Sequence, residues 1–75
     1  MALIEITTNG DNLDTPGFSF AVTIRSENLI AIQLSSVQNQ KGRIDVWLTS
    51  GDNLNFTCKT EVASKALYEK IKGAM

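Results

Sequence analysis

Few residues of this chain could do covalent or acid–base chemistry. It holds no histidine and one cysteine, Cys58. A catalytic nucleophile needs a base within reach, and the commonest base is missing. Cys58 follows Leu54 and Phe56 at every second position, where a thiol serves as a small buried hydrophobe. A lone cysteine also excludes an internal disulfide and makes a poor zinc site. The carboxylates Asp11, Asp14 and Asp45 are the other candidates. Asp11 and Asp14 sit between Asn9-Gly10 and Pro16-Gly17, where Asp shapes turns by bonding its own backbone. Asn9, Asp11 and Asp14 loosely suggest a calcium loop, but the spacing departs from one and no terminal Glu follows. No glycine motif for phosphate is present. The expectation is a protein with no catalytic residue, metal or cofactor.

Trp47 carries more promise as a contact residue. Alternation places it outward, between Asp45 and Thr49. The expected cross-strand neighbours are Ala31 and Thr57, with Thr23 one strand further and Asp45 opposite Lys59 as a surface ion pair. These residues, Trp47, Ala31, Thr23, Thr57, Asp45 and Lys59, form the candidate interface. Small side chains around a flat ring leave its face free to anchor a partner. The competing reading is that a loop or the first strand folds over the ring. Trp47 could also stack a base of single-stranded nucleic acid. That use wants basic neighbours, and the outward face offers Arg25 and Lys59 against Glu5 and Asp45.

The elements that must position these residues follow from hydrophobic period. Phe18, Phe20, Val22 and Ile24 alternate with Ser19, Ala21, Thr23 and Arg25. The same period runs through Ile30-Ile32-Leu34, Ile44-Val46-Leu48 and Leu54-Phe56-Cys58. This is the pattern of a sheet with one apolar and one wet face. Strands are predicted at 3–8, 18–25, 29–35, 43–49 and 54–59. Even-numbered residues face inward throughout, so paired strands need odd loops between them. A short loop of Ser26, Glu27 and a left-handed Asn28 would set Ile24 opposite Ile30 and Val22 opposite Ile32. Residues 36–42 read as a polar, mobile loop, and Ser50-Gly51-Asp52-Asn53 as a turn. From Ala63 the apolar spacing becomes helical, through Ala66, Leu67, Ile71 and Ala74. A helix is predicted over 61–72, with Thr60 as N-cap, a Glu61–Lys65 pair and Gly73 as C-cap. Lys65, Lys70 and Lys72 read as its solvated face.

The predicted fold is α+β: a five-stranded antiparallel meander in the order 1-2-3-4-5, with one C-terminal helix on its apolar face. A barrel-like closure is compatible with the pattern. Seventy-five residues make a single domain, 1–75, with a small core, which favours self-association. The formal net charge of −1 opposes strong attraction to nucleic acid or anionic lipid. No apolar run approaches the ~20 residues of a membrane span. No signal peptide is read at the N-terminus, so a cytoplasmic setting is expected.

The stretch from Ile24 to Ile71 resembles the small flagellar-operon FlbD-like family. The matching pieces are Asn28-Leu29-Ile30-Ala31-Ile32, Val46-Trp47-Leu48-Thr49-Ser50-Gly51, and Thr60 to Ile71. The Thr8–Gly17 loop and the Ser36–Gly42 insertion depart from that family. The resemblance implies a short β-meander with a final helix, and nothing about activity. The chain is also similar in compactness to small phage-encoded proteins. The expected role is a non-catalytic interaction module that binds itself or another protein. The alternatives are a phage accessory protein attaching to a virion component or host factor, and a weak single-stranded nucleic-acid binder.

Overall fold

The computed structural model describes residues 2–75. Strands β1 (Leu3–Thr7), β2 (Ala21–Arg25), β3 (Leu29–Val37), β4 (Lys41–Leu48) and β5 (Asn53–Cys58) precede one helix, α1 (Glu61–Ala74). The class is α+β and all pairing is antiparallel. The expected single sheet is not formed. β1 and β2 make a two-stranded sheet, and β3-β4-β5 make a separate three-stranded meander. Neither closes into a barrel.

The division lies at Ser26–Asn28. Instead of a hairpin loop, these residues form one 3₁₀ turn, and Asn28 is not left-handed. One side of the turn is tied to the chain start: Ser26 N–H donates to the Ala2 carbonyl at 2.9 Å, and Ala2 N–H to Ser26 Oγ at 3.2 Å. The other side is tied to the second sheet, where Thr49 N–H donates to the Asn28 carbonyl at 2.8 Å. The turn is therefore a corner between sheets. Ile24 pairs with Ile4 and Val22 with Ile6, not with Ile30 and Ile32. β2 is also shorter than expected because β1 ends at Thr7. Beyond it, Thr8 N–H still donates to the Phe20 carbonyl at 3.1 Å, but Phe20 N–H turns to the Thr8 hydroxyl at 2.9 Å. Phe18 has no strand to pair with and stands 63% exposed, contrary to its expected inward place. Its ring stacks on Phe20 at 6.0 Å, and Phe20 stacks on Phe56 at 6.3 Å.

The expected mobile loop at 36–42 is mostly ladder. Val37 pairs with Lys41, leaving Gln38, Asn39 and Gln40 as the turn. Asn39 and Gln40 take φ of 65° and 60°, the twist that joins two strands tightly. Residues 48–52 close the β4–β5 turn: Leu48 N–H donates to the Asp52 carbonyl at 2.9 Å, and Gly51 supplies φ of 93°. Both loops are odd, so even residues from Ile32 onward share one face as parity required. A bulge sets Leu29 rather than Ile30 opposite Leu48, and Ile30 leaves its expected inward place. Ile4, Ile6, Ile24, Ile44, Val46, Phe56 and Cys58 are all buried.

The helix starts as read, since Thr60 Oγ1 accepts from Ala63 N–H at 3.1 Å. It continues past Gly73 to Ala74, with Met75 as the cap. Leu67 and Ile71 are fully buried, each worth about 1.5–3 kcal/mol. Glu61 and Lys65 do not pair. Lys70 is not merely solvated: its Nζ donates to the Glu5 carbonyl at 2.6 Å and pairs with Asp11 at 3.1 Å. Near its start α1 lies directly on β4. Buried Ser64 faces Gly42, and a Cβ on Gly42 would overlap the Ser64 Oγ and Cβ. Only glycine permits that approach.

Two substitutions test this packing. Gly42→Ala should lower stability by about 1–3 kcal/mol, read from the denaturant midpoint. Gln40→Gly should raise it by about 0.5–1 kcal/mol, because a left-handed backbone is strained for a residue with a Cβ and not for glycine. An unchanged midpoint in Gly42→Ala would mean that α1 sits further from β4.

Candidate functional site

Alternation turns the odd residues of the three-stranded sheet away from the core. Arg43, Asp45 and Trp47 run down its middle strand. Cross-strand pairing sets them in three rows: Ala31–Trp47–Asn53, Gln33–Asp45–Asn55 and Ser35–Arg43–Thr57. Trp47 is 37% exposed, on the side away from α1, next to Ala31 as expected. Its other neighbour is Asn53 rather than Thr57, because the turn closes over residues 48–52. The Asn53 amide is itself occupied, donating to the Val46 carbonyl at 3.0 Å.

The remaining candidate residues are placed differently from expectation. Thr57 is on the same face but beside Arg43. Asp45 lies opposite Asn55, not Lys59, and its cation is Arg43 on the same strand, with Nη2 at 3.1 Å and Nε at 3.3 Å from Oδ1. Asp45 is only 8% exposed, so the guanidinium covers a nearly buried carboxylate. Lys59 lies beyond the end of β5, where its N–H donates to the Asn12 carbonyl at 2.9 Å. Thr23 is on the other sheet, opposite Glu5, and does not join the Trp47 surface. Three of the six residues thus share the outward face with Trp47: Ala31, Asp45 and Thr57. Arg43, the base closest along the strand to the ring, is spent on Asp45, which weakens the case for a nucleic-acid platform.

Two edges bound this sheet, and they are treated differently. Against the C-terminal end of β5, residues 12–14 lie as a strap. Leu13 bridges Cys58, and Asp14 N–H donates to the Thr57 carbonyl at 2.7 Å. Asn12 makes the strap's bend with φ of 55°. The strap is clamped by Lys41 Nζ on Asp14 Oδ2 at 2.6 Å. Among the described residues, no strand pairs with the outer edge of β3. Its apolar side chains remain open: Ile30 is 59% exposed, Leu34 39% and Val37 38%. Ile30 is displaced further by a bulge between Leu29 and Ala31. Sequence reasoning missed both features. A signal existed for each: Leu13 is a lone large hydrophobe in a turn-rich loop, and Leu29–Val37 contains no charge.

The groups with chemical potential are engaged elsewhere. Asp11 receives Thr7 N–H at 2.9 Å as well as Lys70. Asp11 and Lys70 line a cleft of about 340 Å³ with Gly10, Asn12, Ala63, Ala66 and Leu67. Their mutual ion pair leaves that cleft without a free convergent charge. Among the described residues, no buried side-chain nitrogen or oxygen lacks a partner. Cys58 is fully buried, and its thiol is pushed from 9.0 up to about 11, chiefly by desolvation and further by the Asp11 charge. It stays protonated and inert near neutral pH.

No family model, curated protein or solved structure matches the chain. The site is therefore read from its own residues. No helix among the described residues is long and apolar enough to cross a membrane.

The raised thiol gives a signed prediction. The folded chain holds the Cys58 proton more tightly than the unfolded one. This contribution is complete below about pH 9 and is lost as pH rises through about 11. Wild type should therefore lose stability over that range relative to Cys58→Ala, the gap between their Tm values narrowing with pH. A constant gap from pH 8 to 11 would place the thiol in contact with water.

Proposed function

We propose that this chain is a non-catalytic interaction module that associates with itself through the uncovered side of its three-stranded sheet. One observation carries the reading: a nine-residue strand stands at a sheet edge with no neighbour, no charge and an exposed apolar rim. Long, uncharged edges attract another strand, and monomeric proteins normally blunt them. The same chain covers the Thr57–Cys58 end of its β5 edge with the 12–14 strap, whereas β3 has no such cover. Trp47 extends the uncovered region onto the adjoining face, one strand in from that edge. Engagement of Asp11, Asp14 and Asp45 by lysine or arginine, with Cys58 buried, supports contact over catalysis. The pieces that resemble the FlbD-like family fall on β3, on β4 with its turn, and on α1, and we take that resemblance as one of fold alone.

Light scattering coupled to size-exclusion chromatography tests the proposal. The expected result is a dimer whose population rises with loading concentration. A mass of 8.2 kDa at every concentration would overturn it.

A further inference from the structure

We infer that two copies of this chain join β3 to β3, antiparallel about a two-fold axis at Gln33, to make one continuous six-stranded sheet. The inference rests on the self-association proposed above and specifies its geometry. β3 is the longest strand of the chain and ends its sheet. Its free backbone groups form a template for another strand, and a copy of itself pairs with them symmetrically.

The side chains fix the orientation and register. Nine uncharged residues meet without like charges opposed, which strand β4 could not do with Lys41, Arg43 and Asp45. Gln33 is the middle of Leu29–Val37, and an axis there sets the apolar Ile32 and Leu34 against each other on the bulge-free part of the strand. From Ala31 to Ser35 each residue then faces one on the same side of the sheet, as register demands. Ile32 lies opposite Leu34 of the second copy, and Leu34 opposite its Ile32. Both pairs are apolar and both lie on the core side, where Leu34 is now 39% exposed. On the outward side Ala31 meets Ser35, two small residues, and the Gln33 amides meet across the axis. The bulge at Leu29–Ala31 confines the regular ladder to the centre of the strand, from Ala31 onward.

Thiol cross-linking reads this register directly. Cys58 is fully buried, so an introduced cysteine is the accessible one. A Gln33→Cys variant treated with a short bis-maleimide should become a covalent dimer, while wild type should not. Ala31→Cys and Ser35→Cys should cross-link far better when mixed than either does alone. Gln33→Lys, which opposes two ammonium groups at the axis, should shift the dimer to monomer and regain it at high salt. A dimer by light scattering that Gln33→Cys fails to cross-link would overturn this geometry and leave self-association standing. The geometry also falls if Gln33→Lys keeps the dimer and Trp47→Ala abolishes it, since the copies would then meet face to face. A wild-type monomer at every concentration would overturn both.

Discussion

The corner at Ser26–Asn28 is the constraint on which the architecture turns. An antiparallel strand has two edges to satisfy, and a hairpin here would have used one edge each of β2 and β3. The 3₁₀ turn withholds that pairing. Its ties to Ala2 on one side and Thr49 on the other hold the two sheets at fixed positions. β2 is left to the N-terminal strand, and β3 keeps only β4. The character of the surface follows. Ile30 and Leu34 are open because the strand that might have flanked them belongs to the other sheet. The core remains single, since apolar residues of both sheets and of α1 collect in one buried cluster.

Period-two alternation carried the elements and the inward set. From Ile4 to Cys58 the even apolar positions of β1, β4 and β5 are buried or half-buried, and Trp47 is on the opposite side of its strand from Val46. Parity also constrained the loops, and both turns of the meander obey it. Alternation says nothing, however, about which strand neighbours which. Even-to-even pairing is satisfied equally by Ile24 with Ile4 and by Ile24 with Ile30. The choice came from hydrogen bonds of Ser26 and Asn28, which have no periodic signature. Loop length misled in the same way. Asn39 and Gln40 accept left-handed backbone, which let residues 36, 37, 41 and 42 join a ladder rather than a loop.

The candidate site was legible only in outline. Trp47 and Ala31 could be placed because they lie on adjacent strands of one hairpin. Thr57 and Lys59 were displaced because a turn may be centred on either of two positions without breaking parity. Long-range ion pairs were outside reach altogether. Asp14 and Lys41 stand 27 residues apart and Asp11 and Lys70 stand 59 apart, and only the folded strap brings each pair together. Acids and bases that look separable in sequence are thus structural clamps. Their Coulomb energy at partly exposed sites is modest, about a kcal/mol or less each, but they fix where the strap lies.

The strap also makes the two rims of the three-stranded sheet unequal. A sheet with two bare rims adds copies at both, and such head-to-tail growth has no natural end. With Leu13 laid against Cys58, the strap covers the C-terminal end of the β5 rim, while the β3 rim is open along its length. The loop that reads as mere connection between the first two strands is thus also a cover for part of a sheet rim.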